Sequence, residues 1–172
     1  MTVRLRAVTS EDVPLLERWR GRPEDEGEFN DFGLSRQGPS TLRRSVEEGT
    51  VIGADGGLLV VEVEGQPIGS VSWHSEHYGP NPESRCFNIG IALVPAGRGH
   101  GHGTAAQRML ADYLFATTTV NRVEASTDVD NVAEQRALER AGFTREGVIR
   151  GAQFRRGGWH DLVGYSRLRS DG

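Results

Sequence analysis

The sequence predicts a single α/β domain of about seven strands and about four helices, and three observations carry that prediction. Short runs that alternate apolar and polar residues, or are continuously apolar, recur along the chain as strands do. Between several of them lie stretches with apolar residues at helical spacing, and Gly, Pro, Asn and Asp mark the boundaries. The chain has 172 residues, 36% of them hydrophobic, enough for one core and short for two, so residues 1–172 are expected to form one domain. No internal repeat or low-complexity tract divides it.

Taken in order, residues 3–8 set Val3, Leu5 and Ala7 against Arg4 and Arg6 and read as a half-buried strand. Thr9 or Ser10 is placed to cap a helix that starts at Glu11 and Asp12, runs through Leu15, Leu16 and Trp19, and stops before Gly21 and Pro23. Residues 22–39 are polar and irregular. Within them Glu24-Asp25-Glu26-Gly27-Glu28 reads as a solvated acidic run, and Phe29-Asn30-Asp31-Phe32 as a cover for either core or substrate. Residues 40–48 are expected to form a short helix ending at Gly49. Residues 57–64 and 67–74 read as a hairpin turning at Gly65-Gln66, 75–84 as a loop, and 85–94 as a further strand. Residues 104–115 are a helix expected to turn Ala105, Met109, Leu110, Tyr113 and Leu114 inward. Residues 122–127 form a short strand, Asp130-Asn131 a helix start, and 132–141 a helix closed by Gly142. Two last strands, 143–150 and 159–168, are joined with Arg155-Arg156-Gly157-Gly158 as the turn. Trp73, Trp159 and Tyr165 at strand positions read as packing residues.

Arg98-Gly99-His100-Gly101-His102-Gly103 lies between an apolar strand and a helix. Glycines at alternate positions let the backbone turn tightly and present successive N–H groups, and the helix adds its positive end at the same point; phosphates are held this way. A glycine-rich turn alone would be an ordinary connector, and the strand and helix around it are what point to an anion. His100 and His102, at i and i+2 with no matching carboxylate set, make a poor metal site, so no metal is expected.

Composition removes several classes. Cys86 is alone, which excludes an intramolecular disulfide and a cysteine metal cluster; a buried strand residue is the expected role. All 20 basic residues are arginine, so a P-loop lysine and lysine Schiff-base chemistry are excluded. The first 86 residues carry 9 Arg and 15 Asp or Glu, the remainder 11 and 9. That asymmetry suits an anionic ligand on the second half and a cationic substrate near the first, and argues against a general nucleic-acid partner. No apolar run approaches the roughly 18 residues of a membrane helix, and the first residues lack a signal peptide's apolar core, so a cytoplasmic protein is expected.

These residues resemble the GNAT N-acetyltransferase family. Arg98 to Gly103 fits that family's Arg/Gln-x-x-Gly-x-Gly/Ala loop, Asn131 with Gly142-Phe143 fits its Asn-helix-Gly-Phe segment, and the resemblance covers nearly the whole chain. Glu146-Gly147-Val148-Ile149-Arg150 followed by Trp159-His160-Asp161-Leu162-Val163-Gly164-Tyr165-Ser166 looks like the RimJ/RimL type, which includes N-terminal acetyltransferases of ribosomal proteins and enzymes acting on amino acids, polyamines or antibiotics. The resemblance implies a mixed, mostly antiparallel sheet with splayed central strands. It implies acetyl-CoA as acyl donor and direct transfer, in a ternary complex, to a primary amine of a small molecule or of a peptide or protein N-terminus; a homodimer is a family-based expectation. It also implies that the amides of Gly99, His100, Gly101, His102 and Gly103 hold the CoA pyrophosphate, with Arg98 at the start of the loop and Thr104 on the first helical turn. Backbone groups of Ile91, Ala92 and Leu93 would pair with pantetheine, and Asn131 would cap its helix and reach the cofactor.

Direct transfer needs a base for the amine's proton and an acid for the leaving thiolate. The chain departs from the family pattern at both. Asn88 stands where many members carry glutamate, and Leu138 stands near the place of a late-helix tyrosine. His74 is the leading candidate base, ahead of Glu76, His77 and Glu83, against the reading of His74 as a surface or structural histidine. Three residues after the asparagine, where the RimJ/RimL pattern often has serine, stands Glu134, a catalytic candidate on position alone. Two other readings compete: a non-catalytic acyl-CoA binding or sensing module, and acyl transfer to a hydroxyl or a carrier-bound substrate.

Overall fold

Alternation along the strands gives one sheet two unlike faces. A computed structural model describes residues 2–20, 22–32 and 41–171. The strands are β1 (Val3–Ala7), β2 (Gly56–Val63), β3 (Gln66–His77), β4 (Arg85–Leu93), β5 (Arg122–Asp128), β6 (Thr144–Arg155) and β7 (Gly158–Leu168). They lie in the order β1-β2-β3-β4-β5-β7-β6. Every neighbouring pair is antiparallel except β4 and β5, which are parallel. The helices are α1 (Val13–Arg20), the single turn α2 (Pro23–Glu26), α3 (Thr41–Glu47), α4 (His102–Thr117) and α5 (Val132–Arg140). One sheet face, with Val71, Trp73, Phe87, Val123 and Tyr165, packs on Leu110 and Leu114 of α4 and Leu138 of α5. The other buries Leu58 and Val60 against Leu16, Trp19 and Leu42 from α1 and α3.

The parallel pair is where the sheet opens. β4 and β5 are in register only at Phe87 with Val123 and Asn88 with Glu124, although β4 continues to Leu93 and β5 to Asp128. Beyond those two pairs the facing edges diverge. β4 is bonded to β3 on its other side and β5 to β7, so each keeps an unpaired backbone edge toward the gap.

Several boundaries differ from the sequence reading, each for a local reason. The first helix begins at Val13, because the Asp12 carboxylate accepts from the Thr9 N–H and hydroxyl, both at 2.8 Å. A bidentate pair with Arg6 at 2.7 and 2.8 Å, with those Thr9 bonds, holds the Asp12 carboxyl at about 2. The first hairpin turns on Glu64-Gly65, one residue earlier than expected: Glu64 (φ 49°) and Gly65 (φ 80°) both adopt the positive φ of a type I′ turn. Arg156 (φ 51°) and Gly157 (φ 81°) repeat the device between β6 and β7. β3 runs on to His77, paired with Arg85, which shortens the expected loop at 75–84. α4 begins at His102 and buries Ala106, Gln107, Leu110, Ala111 and Leu114, leaving Met109 at its surface. β6 extends through a register shift between Ile149 and Gln153 as far as Arg155, which is buried rather than in a turn. The expected helix start at Ser40 and the stop at Gly21 lie outside the described residues.

Candidate functional site

The open end of the β4–β5 gap, the N-terminus of α4 and the N-terminus of α5 meet in one cleft of about 410 Å³. Ile91, Ala92, Leu93, Arg98, Gly99, Gly103, Asn131 and Glu134 line it, so eight of the residues singled out from the sequence converge there. His100, Gly101, His102 and Thr104 complete the adjoining loop and first helical turn.

The loop is built to leave its amides free. Gly101 caps α4 at φ 79° with no side-chain cap, so His102, Gly103 and Thr104 form a first turn whose N–H groups have no acceptor within the helix. Gly99 shares φ 79°, a backbone state that any other residue holds under strain. A Cβ on Gly99 or Gly101 would meet nothing within 4 Å, whereas one on Gly103 would touch Leu93 and Ile91 at 3.7 and 3.8 Å. The glycines at 99 and 101 therefore answer to dihedral angles, and Gly103 keeps the helix start thin beside β4. The His102 ring is buried, with Nδ1 3.2 Å from the Gly97 carbonyl, which ties the loop to the end of the strand.

Across the cleft α5 begins differently. The Asn131 Oδ1 accepts from the Glu134 N–H at 3.3 Å and its Nδ2 donates to the Thr127 hydroxyl at 3.0 Å. The Asn131 N–H already donates to the Asp128 carbonyl, so the Glu134 carboxyl is not drawn back as the second half of a capping box. It sits half-buried beside Gln107 of α4. Burial pushes its pKa up to about 7, and the hydrogen bond from Gln107 pulls the other way. Gln107 is itself buried and its amide also donates to the Gly103 carbonyl at 3.2 Å. A carboxyl group that holds a proton near neutrality thus faces the cleft.

The other proton-transfer candidates lie elsewhere. His74, Glu76 and His77 are on the last third of β3 and Glu83 in the following turn; none lines the cleft. His74 is exposed, with Nε2 3.2 Å from Glu76, and stands directly across the register from Asn88. Asn88 and Glu124 are the last paired residues before the strands part. There the Glu124 carboxylate accepts from the Tyr78 hydroxyl at 2.8 Å and from Arg122 at 3.0 Å. That bond and burial push the Tyr78 phenol up. Cys86 is buried, as expected, and burial pushes its thiol up to about 11.

The sequence reading caught the third wall only in part: Phe29 and Asn30 fell in the stretch expected to cover core or substrate, whereas Gly27 and Glu28 were expected to be solvated. Gly27, Glu28, Phe29 and Asn30 line the same cleft, as do Thr127, Asp128 and Gln153. Asp128 is buried and ion-paired to the equally buried Arg155, with His160 Nδ1 at 3.4 Å. Arg155 Nη1 donates to the Glu28 carbonyl at 2.6 Å, and its guanidinium stacks over Phe29 at 5.4 Å from the ring centre. A further signal was the position of Thr127 and Asp128 at the carboxyl end of a strand that borders the open gap.

Comparison with known proteins identifies the family and the fold. The acetyltransferase (GNAT) domain model matches residues 2–144. YdaF of Bacillus subtilis (strain 168), provisionally named a ribosomal N-acetyltransferase, is 34% identical over 119 residues; the match covers 69% of this chain and 61% of YdaF. Among solved structures, the ribosomal L7/L12 α-N-protein acetyltransferase RimL, in complex with coenzyme A, superposes with a TM-score of 0.80 at 20% identity, covering 100% of this chain and 97% of that one. The Vibrio cholerae spermidine N-acetyltransferase with CoA and spermine gives 0.78 at 19% identity, covering 98% and 96%.

Proposed function

Because the chain belongs to the GNAT acetyltransferase family, we propose that it is an acetyl-CoA-dependent N-acetyltransferase that acetylates a primary amine of a small molecule or of a peptide or protein N-terminus. One observation carries the reading: an unpaired strand edge leads through the glycine loop to a helix N-terminus whose amides are uncapped, and both border one cleft. That combination suits a ligand with an amide-bearing arm and a doubly charged pyrophosphate.

In this reading the N–H groups of residues 99–104 hold the pyrophosphate, and the open dihedral space at Gly99 and Gly101 is compatible with close approach. The β4 edge at Ile91, Ala92 and Leu93 orients the arm, and a β4 N–H in the gap is placed to polarise a carbonyl oxygen. The donor supplies an acetyl group activated as a thioester. The acceptor nitrogen forms the new C–N bond as the C–S bond breaks, and the nitrogen's surplus proton passes to solvent through the open cleft. Glu134 holds a proton within the cleft and returns it to the departing sulfur, then regains one from water. YdaF, RimL and the spermidine enzyme carry names that refer to amine acceptors, which supports that acceptor class.

The test is acetyl-CoA binding by calorimetry, followed by thiol release across a panel of spermidine, an aminoglycoside and N-terminal peptides. Saturable binding with acceptor-dependent thiol release is the expected result. Binding with no turnover on any acceptor would favour the sensing module, and an ester product would favour a hydroxyl acceptor.

A further inference from the structure

We infer that Arg98, although it opens the glycine loop, is a positioning residue of the acceptor wall and not a ligand of the donor's phosphates. The inference rests on the acyltransferase reading only in naming residues 25–30 an acceptor wall; the contacts themselves stand apart from it. The Arg98 Nε donates to the Leu93 carbonyl at 2.8 Å, and one terminal nitrogen donates to the carbonyl of Asp25, the next-to-last residue of α2. The other terminal nitrogen lies 3.3 Å from where a Cβ on Gly27 would stand, and Gly27 has φ +81°. All three nitrogens are therefore turned toward the end of β4 and the wall. Gly27 supplies both the turn and the room that let the wall close over a guanidinium.

Among the described residues two arginines reach carbonyls of the wall as staples, and they differ. Arg155 holds the Glu28 carbonyl from a buried ion pair with Asp128, outside the glycine loop. Arg98 is exposed and rooted in the loop that would grip phosphate. Whatever sets the conformation of residues 98–103 also sets where the Asp25 end of the wall sits. Donor binding would then order the wall, and by linkage a bound acceptor would tighten donor binding by the same factor.

The experiment uses Arg98→Gln and, from the other side of the contact, Gly27→Ala. Amide hydrogen exchange across residues 22–32 is measured without ligand and with CoA, and CoA affinity is measured by calorimetry. The expected result is exchange roughly tenfold faster across residues 25–30 in both variants, with β2 and β3 unchanged and the Kd for CoA within about threefold of the parent. In the parent, added CoA should slow exchange in this segment, and in Arg98→Gln that slowing should disappear. Unchanged exchange in both variants would overturn the inference. So would a loss of CoA affinity beyond about tenfold in Arg98→Gln with the wall still protected, because Arg98 would then be a phosphate ligand. A parent that fails to bind CoA would sink the proposed function, yet the exchange measured without ligand would still decide the staple.

Discussion

Two helix N-termini face one cleft and solve the same problem in opposite ways. α4 is entered through Gly101, carries no side-chain cap and has no acidic residue in its first turn. α5 is entered through Asn131, which satisfies an N–H of its own helix, and it carries Glu134 in its first turn. Free amides and the positive end of the helix suit an anion at α4. At α5 the amides are partly spent and the contribution is a carboxyl group. The donor half of the site is thus made from backbone and the proton-transfer half from a side chain, and the two should fail differently under mutation.

The largest break should come at the backbone end. The double variant Gly101→Glu, Gly103→Glu sets two carboxylates where phosphate would sit, and acetyl-CoA affinity should fall by more than about a hundredfold. Circular dichroism must show the fold intact; affinity equal to the parent's would remove the cradle. At the side-chain end, Glu134→Gln should leave affinity near the parent's and lower kcat by about tenfold to a hundredfold. The parent's rate should decline as pH rises through about 7, where Glu134 loses its proton, and the variant should lack that limb. The same substitution tests stability with a defined sign. The folded-state pKa is raised from 4.5 to about 7, so the parent is progressively destabilised as pH rises across that window, and Glu134→Gln should be the more heat-stable protein at pH 8.

Smaller substitutions sharpen the contrast. Gly103→Ala adds a methyl group at ordinary contact distance from Leu93 and Ile91, inside a helix. It should raise stability by about 0.5–1 kcal/mol while lowering acetyl-CoA affinity severalfold, which thermal melts and calorimetry would show together. Asn131→Ala should cost about 1 kcal/mol through loss of the cap, with less effect on acetyl-CoA affinity than Gly103→Ala.

How much of this was legible beforehand follows the same division. The glycine loop, the strand before it and the helix after it could be read because backbone demands leave local signatures: positive φ calls for glycine, and burial imposes a period. The first two-residue turn was placed within one position and the second fell inside the four residues expected to turn, since X-Gly pairs mark type I′ geometry without fixing its register. Glu134 could be found by counting from Asn131, but its raised pKa depends on Gln107 and on burial between two helices. Of the wall at Gly27 to Asn30, only Phe29 and Asn30 left a signature, as aromatic and polar residues in an expected loop that read as a cover for core or substrate. Its stapling arginines, Arg98 and Arg155, are 73 and 127 positions from the wall carbonyls they hold, and Arg155 looked like a turn residue because a register shift in β6 lies between it and the predicted strand. Contacts of that span are set by topology, which residue types alone do not encode.

The two residue pairs that join β4 to β5 carry a mechanical meaning. Four strands lie on one side of that junction and three on the other, so the sheet is two plates fastened along a short weld, with α4 as the strap across it. A ligand lying in the gap would extend the weld and restrain the plates from opening. Ligand at a hundred times its Kd would add about 2.7 kcal/mol to the folded state, and most of that should appear as slower separation of the plates rather than as a firmer core.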